Sequence, residues 1–359
     1  MPKWLSYLLL PFSWIYGAVV MLRTYLYSSK IYTRSKFDFP IICVGNITAG
    51  GTGKTPHIEY LIQLLQPNYQ LAVLSRGYKR KTTGYLFSSA ISTPNDIGDE
   101  PYQIKQKYPE VALAVGENRV LSVPALLSDA SQTQAILMDD GFQHLSIEAG
   151  YNIVLCDYNR PYYNDFLLPA GLLREPISGA NRAQIIIVTK CPPDLTNEEQ
   201  QQIIHKLKPA SHQQVFFSCI EYKAYRPLTQ AAHEMAFLPQ QASFNKIVAM
   251  AGIAKSELFV REVQSHFNNV VPLIFNDHVN YDGEKINLMR HHTNQPNSAI
   301  VTTEKDAVKL MDEDLIQHIN HIPMWYLPIG VKVLNNEEEK LKQVLINYIE
   351  MEMANAISE

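Results

Sequence analysis

The run Ile41-Ile-Cys-Val44, followed by Gly45-Asn-Ile-Thr-Ala-Gly-Gly-Thr-Gly-Lys54-Thr55, constrains the fold more than any other part of the chain. Four consecutive apolar residues leave no polar face, which suits a strand covered on both sides. The glycines behind them permit a tight loop with positive φ angles. From Pro56 the apolar residues Ile58, Leu61, Ile62 and Leu65 recur at helical spacing. Proline at a helix start gives up an amide that would have no intrahelical acceptor anyway. Strand, glycine-rich loop, Lys-Thr and helix follow one another as in a phosphate-binding loop, where loop amides and the helix N-terminus cradle anionic oxygens. The expected nucleotide-binding residues are therefore Thr48, Ala49, Gly50, Gly51, Thr52, Gly53, Lys54 and Thr55. Lys54 supplies a point charge for the terminal phosphates, and the Thr55 hydroxyl can ligate Mg2+. The pattern G-x-x-x-x-G-K-[ST] is degenerate at its first glycine, where this chain has Thr48.

Further short apolar runs at 71–75, 111–115, 135–138, 152–157 and 184–189 read as strands of the same parallel sheet, with helices near 100–108 and 119–127. A second set starts near Phe244, with strands at 246–250, 270–275 and 299–302, a helix at 256–267 and an amphipathic helix at 337–351. The Gln- and Pro-rich stretch 205–243 carries less pattern and reads as a connection. The expected fold is α/β: a P-loop-type parallel-sheet lobe and a second, smaller α/β lobe, preceded by an apolar N-terminal helical segment. The expected boundaries are 1–36 for the N-terminal segment, 37–220 for the first lobe, 221–243 for the connection and 244–359 for the second lobe with the C-terminal helix.

Composition sharpens the reading of the N-terminus. Charged residues make up 18% of the 359, below the usual about one quarter, which points to apolar surface or membrane contact. Residues 4–22 contain no charged side chain but include Trp4, Tyr7, Trp14 and Tyr16, and the flanks carry Lys3, Arg23, Lys30, Arg34 and Lys36. Such a segment is long enough to cross a bilayer. With Pro11 and Gly17 inside it, a kinked helix or helical hairpin lying in the membrane interface fits better. A helix buried against the domain or in a dimer is the alternative. The net charge of −4 does not suggest a nucleic-acid partner. The four cysteines lie far apart, forming neither a zinc motif nor a disulfide framework, and so suit a reducing cytoplasm.

Asp139 and Asp140, at the end of the 135–138 run, are candidate Mg2+ ligands, although Asp-Asp-Gly is also ordinary turn chemistry. Gly98-Asp99-Glu100-Pro101 places acids at a helix start, where acids are favoured in any case. His278, in Asn276-Asp-His, and His144, in Gly141-Phe-Gln-His, fit either polar chemistry or packing. Arg76, Arg119 and Arg174 could clamp phosphate, since guanidinium suits bidentate recognition.

Together with the loop, the motifs Ser75-Arg-Gly-Tyr78, Gly98-Asp-Glu-Pro101, Asp139-Asp-Gly-Phe-Gln-His144, Leu168-Pro-Ala-Gly-Leu-Leu-Arg-Glu-Pro176 and Thr303-Glu-Lys-Asp306 occur in an order that resembles the tetraacyldisaccharide 4'-kinases, the lipid A 4'-kinases of Gram-negative bacteria. The resemblance covers nearly the whole chain. It implies a kinase on the cytoplasmic face of the inner membrane, peripheral or monotopic, with two α/β lobes around a cleft. Its partners would be ATP, Mg2+, a lipid disaccharide and the inner-membrane lipid surface. The reaction would move the γ-phosphoryl group of ATP to the 4'-hydroxyl of a tetraacylated glucosamine disaccharide 1-phosphate. The same resemblance implies a catalytic set of Lys54, Asp99, Arg119, Arg174 and His278, with Thr55, Asp139 and Asp140 at the metal. Asp99 would be the base and His278 its partner from the other lobe, so that the dyad assembles when the cleft closes. The family often has Asp-His-His where this chain has Asp277-His278-Val279. Two other P-loop classes fit less well. A septum-positioning ATPase would carry an additional lysine early in the loop, absent from Asn46 to Ala49. A GTPase would need an Asn-Lys-x-Asp base reader, which Thr189-Lys-Cys-Pro192 does not supply. Intact Lys54, Thr55 and Asp139 argue against a scaffold with a disabled loop.

Overall fold

The computed structural model describes residues 3–235, 238–277 and 279–358. Its strands are β1 (Ile41–Gly45), β2 (Leu71–Ser75), β3 (Leu86–Phe87), β4 (Ala112–Val115), β5 (Ala135–Asp139), β6 (Tyr151–Asp157), β7 (Ile185–Thr189), β8 (Gln214–Tyr222), β9 (Arg226–Pro227), β10 (Lys246–Ala251), β11 (Val270–Ile274), β12 (Ser298–Thr303), β13 (Met324–Leu327) and β14 (Ile329–Val333). The helices used below are α1 (Lys3–Ser28), α2 (Lys54–Leu65), α3 (Asp99–Lys107), α4 (Arg119–Asp129), α5 (Asn197–Leu207), α6 (Ser256–His266), α7 (Gly283–His292), α8 (Glu304–Leu310) and α9 (Glu338–Ser358).

The chain divides into two units. The first comprises the residues up to Ala90, Ile104–Ile220 and the segment from Val331 onward. The second comprises Ile91–Gln103 and Glu221–Gly330. In the first unit the apolar runs form a nine-stranded sheet of order β14-β8-β7-β6-β1-β5-β2-β4-β3. From β8 through β4 every pairing is parallel, and β3 adds an antiparallel edge. Every residue of β1, β2, β5 and β7 is buried, as continuous apolar runs require when helices cover both faces. Strand β1 sits where the order turns: β5, β2 and β4 extend to one side, and β6, β7 and β8 to the other. In open α/β sheets, ligands bind outside the carboxyl ends of strands at such a switch point. The second unit carries a five-stranded sheet of order β9-β13-β12-β10-β11, parallel except for β9. Its two faces are filled by separate apolar clusters, one around Met250, Ile300 and Met324, the other around Phe259, Val263 and Trp325.

Several boundaries differ from those expected. The C-terminal helix α9 belongs to the first unit rather than the second. Leu341, Leu345 and Ile349 are buried along one stripe of it, and the Tyr348 hydroxyl accepts from Ile41 N (3.1 Å) and donates to Ile41 O (3.3 Å) at the start of β1. The stretch 205–243 is not a plain connection. It holds β8, with Phe216 and Phe217 buried, and its later part is built into the second unit, where the Thr229 hydroxyl donates to Ile322 O (2.6 Å). Residues 91–103 also move to the second unit. Finally, α1 is one continuous helix through Pro11, so the hairpin alternative is not adopted.

Candidate phosphate-binding site

The chain leaves β1 into a loop shaped by two glycines at positive φ, Gly50 (+111°) and Gly53 (+95°), and Gly53 caps α2. A Cβ added at Gly50 or Gly51 meets nothing within 4 Å, so the loop faces open space there. The amides of Lys54 and Thr55, in the first turn of α2, have no intrahelical acceptor by the geometry of a helix start. The back of the loop is held from several strands. Asn46 Nδ2 donates to Thr52 Oγ1 (2.7 Å), Thr189 Oγ1 donates to Thr52 O (2.9 Å), and Lys190 Nζ donates to Gly51 O. Lys190 is itself paired with Asp157 at 2.8 Å. His57, one turn into α2, donates from Nδ1 to Gly53 O (2.7 Å) and accepts from Ser218 Oγ at Nε2 (3.0 Å). Burial is the main reason its pKa falls to about 4, which keeps the ring neutral, and the Gly53 carbonyl, which can only accept, sets the tautomer.

One of the expected anion donors has another task. The Ala49 amide donates to Leu172 O (2.7 Å), and Thr48 makes an antiparallel bridge to Leu173. These contacts anchor the loop to the segment before Arg174.

Lys54 and Arg174 converge on Asp140. Lys54 Nζ lies 3.6 Å from Asp140 Oδ2, and the Arg174 guanidinium meets both carboxylate oxygens, at 2.9 and 3.3 Å. Arg174 also donates to Asn46 O (2.8 Å) and to Asn46 Oδ1. Burial works to raise the Asp140 pKa, but Lys54 and Arg174 outweigh it and hold the carboxyl below its usual range. Asp140 sits at φ +48°, a left-handed turn position that Asp tolerates better than most residues. Its neighbour Asp139 ends β5 in register with Val44 of β1. Asp139 is 3% exposed and accepts from Ser75 Oγ at 3.0 Å. Lys54, Thr55, Asp139, Asp140 and Arg174 thus all fall in one unit, at or near the ends of adjacent strands.

Arg119 is placed differently. It is fully buried, and its guanidinium donates to the carbonyls of Ser75 (3.0 Å), Gly116 and Asp139 (3.2 Å). Desolvation lowers its pKa from the ordinary arginine value, with Asp139 opposing. It staples the ends of β2 and β5 together and is not an exposed cation waiting for phosphate. Arg76 is exposed. His144 reaches Ser146 at 3.4 Å and lines an open depression of about 530 Å3 with Thr33, Ser35 and Asn118.

A supporting network that no local pattern signals lies beside the loop. Gln143 Nε2 donates to Glu175 Oε1 (2.7 Å) and Asn46 O (2.8 Å), and Arg182 Nη1 pairs with Glu175 Oε2 at 2.8 Å. Gln143 and Glu175 lie inside two of the motifs, but nothing in their spacing shows that they meet. Thr189 and Lys190, which fail as a guanine reader, instead hold the loop.

In the second unit, Asp99 starts α3 and Lys309 Nζ lies 3.4 Å from its Oδ2. The same ammonium donates to Val279 O (2.9 Å), and Lys305 Nζ lies 3.3 Å from Asp277 Oδ1. Asp99 is thus tied to the segment around position 278. His278 itself lies outside the described residues. Asp99, Asp277 and Val279 fall in the same unit. Val279 is buried, and its Cγ1 would lie 2.5 Å from a Cβ on Gly252, so a side chain larger than glycine cannot stand at 252 without a shift. Asp306, from the Thr-Glu-Lys-Asp motif, accepts from Gly252 N (2.8 Å) and Thr303 Oγ1 (2.6 Å) and closes the turn after β10.

Comparison with known proteins bears on this geometry. The family model described as tetraacyldisaccharide-1-P 4'-kinase matches residues 5–350. The tetraacyldisaccharide 4'-kinase of Bacteroides fragilis is 42% identical over 97% of this chain and 93% of its own length. That of Porphyromonas gingivalis is 40% identical over 97% of each chain. The crystal structure of LpxK from Aquifex aeolicus in complex with ATP superposes with a TM-score of 0.73 at 29% identity, covering 96% of this chain and 99% of that one.

Proposed function

The chain belongs to the tetraacyldisaccharide-1-P 4'-kinase family, and we propose that it transfers the γ-phosphoryl group of ATP to the 4'-hydroxyl of a tetraacylated glucosamine disaccharide 1-phosphate, a step of lipid A biosynthesis. The observation that carries the reading is the convergence of Lys54 and Arg174 on Asp140 beside the open face of the Gly50–Gly51 loop. An ATP tail would bring anionic oxygens to these two cations, to the loop amides and to the positive end of α2. Lys54 is the more weakly held cation, at 3.6 Å from its carboxylate, and is free to turn toward the β- and γ-phosphates. Arg174, gripped by Asn46 and Asp140, would stay in place and stabilise charge on the transferring group.

The residues present also fit Mg2+. Thr55, Asp139 and Asp140 offer hard oxygen donors. Among the described residues no group of three or more His, Cys, Asp or Glu could hold a metal, so phosphate oxygens and water would complete the shell. When bound, the ion would neutralise charge on the β- and γ-phosphates. Asp99 serves as base: its carboxylate takes the 4'-hydroxyl proton as that oxygen bonds to the γ-phosphorus and the bond to the ADP oxygen breaks. Lys309 positions this carboxylate, and His278 is its proposed partner. Helix α1 holds the enzyme at the cytoplasmic face of the inner membrane. Trp14, Ile15 and Val19 on it are exposed, and Trp4–Ser28 is long and apolar enough to cross a membrane. Acyl chains would stay in the bilayer while the sugar headgroup reaches the site.

The test is phosphoryl transfer by the full-length protein from ATP, with Mg2+, to a detergent-dispersed disaccharide lipid, run beside a lipid-free ATPase control. Lys54→Ala should reduce transfer by about 100-fold or more, the scale expected when one preorganised charge is removed. Wild-type turnover by that variant would overturn the loop assignment.

A further inference from the structure

Among the described residues of α1, only Ser13 and Gly17 are buried, one turn apart, with Tyr16 half-buried beside them. This narrow stripe meets the Leu-Pro-Ala-Gly segment that ends in Arg174. Ser13 Oγ donates to Leu167 O (2.9 Å) and accepts from Ala170 N (2.9 Å). A Cβ on Gly17 would stand 2.7 Å from Leu167 Cδ1, so glycine is what permits the close approach. The Tyr16 hydroxyl donates to the carbonyl of Arg174 (2.8 Å). The other side of the same segment grips the phosphate loop: Leu172 O accepts from Ala49 N, Leu173 bridges Thr48, and Arg174 N donates to Ile47 O (2.8 Å). Arg174 is therefore fixed at three points, its carbonyl by α1, its amide by the loop and its guanidinium by Asp140 and Asn46.

We propose that Tyr16 and Ser13 are positioning residues for phosphoryl transfer: through the 167–174 strap they set Arg174 and the flank of the phosphate loop, so that the apolar helix tunes the reaction as well as anchoring the protein. The inference rests on the reading of the loop as the ATP site. The stripe is separate from the lipid-facing surface, because Phe12, Trp14 and Ile15 are at least 60% exposed. Location and catalysis can thus be perturbed independently.

The experiment uses the full-length protein, with ATP and a detergent-dispersed disaccharide acceptor for kinetics and anionic phospholipid vesicles for cosedimentation. Tyr16→Phe keeps the ring and removes one hydrogen bond to the Arg174 carbonyl. It should lower kcat about fivefold and leave the KM for ATP within about twofold, as expected when a transition-state contact is loosened. Vesicle binding and melting temperature should match wild type. In an Arg174→Lys background the same change should cost less than about twofold, because the residue it positions is already compromised. Trp14→Ser should do the reverse, weakening cosedimentation while detergent-phase turnover is kept. A Tyr16→Phe enzyme with wild-type kcat, or a full fivefold loss in the Arg174→Lys background, would overturn the positioning role. If Lys54→Ala is inactive while Tyr16→Phe is unaffected, only this inference fails; if Lys54→Ala is active, the underlying reading fails with it.

Discussion

Replacing Arg174 by lysine isolates the value of a guanidinium fork in this site. Arg174 reaches both oxygens of Asp140, at 2.9 and 3.3 Å, and also Asn46 O at 2.8 Å and Asn46 Oδ1. A lysine ammonium keeps the charge and can still meet Asp140, but it cannot span both partners. The lost contacts are those to Asn46, whose amide also holds Thr52 in the loop. A charge-assisted hydrogen bond is worth about 1.5–3 kcal/mol when well buried. Here the Arg174 and Asp140 side chains are 24% and 32% exposed, so solvent screening brings each lost contact to about 1 kcal/mol. The two Asn46 contacts together predict a loss of about 2 kcal/mol, or roughly 30-fold in kcat/KM. Most of it should fall on kcat if the fork serves the transferring group. The assay is initial-rate transfer to the disaccharide acceptor over a range of ATP concentrations. An Asn46→Ala variant, which removes the Oδ1 partner of Arg174, and the double variant complete a cycle, and residues in direct contact should couple by about 1 kcal/mol. An Arg174→Lys enzyme with more than half the wild-type kcat/KM, or losses in the cycle that simply add, would refute the reasoning.

Two further outcomes follow from buried groups. His57 has a folded pKa of about 4 against 6.5, so between those pH values the unfolded chain binds a proton that the native state does not. Its contribution to stability is intact above pH 6.5 and is lost as pH falls toward 4, by about 3 kcal/mol over the full window. Denaturant titrations should show His57→Gln flattening the pH dependence between 4 and 6.5, and an unchanged slope would reject the assignment. Arg119→Met leaves the Ser75, Gly116 and Asp139 carbonyls without their buried donor. It should cost about 3 kcal/mol or more of stability. A variant that melts like wild type while losing turnover would restore Arg119 to a direct role at the phosphates.

Elements with strong local signals are legible in the amino-acid sequence alone. The 41–65 stretch reads as strand, loop and helix because its apolar period changes from continuous to helical across a run of glycines, and the structure has β1 and α2 there. Strands β2, β5, β6 and β7 are visible for the same reason: burial on both faces demands unbroken apolar runs. Strand β8 is not. Its sequence Gln-Val-Phe-Phe-Ser-Cys-Ile-Glu-Tyr mixes polar and apolar residues, and only four consecutive positions of it are buried. The metal and cation candidates Lys54, Asp139, Asp140 and Arg174 can be named from their motifs, but their convergence depends on parallel pairing of β1 with β5 and on the 167–174 strap.

Neighbouring residues carry the local chemistry: a glycine loop before a helix, carboxylates at a strand end, an apolar helix at the N-terminus, and a set of ordered motifs that mark the family. Packing in three dimensions sets how those pieces are used. It turned Arg119 into a staple among carbonyls, gave the Ala49 amide to Leu172, put Asp99 in the same unit as Asp277 and Val279, returned α9 to β1, and set Tyr16 behind Arg174. The physical reason is the range of the information. Periodicity and turn chemistry are written in neighbouring residues. The partner of a buried donor is set by strand order and packing between residues far apart in the chain, and no local pattern records it.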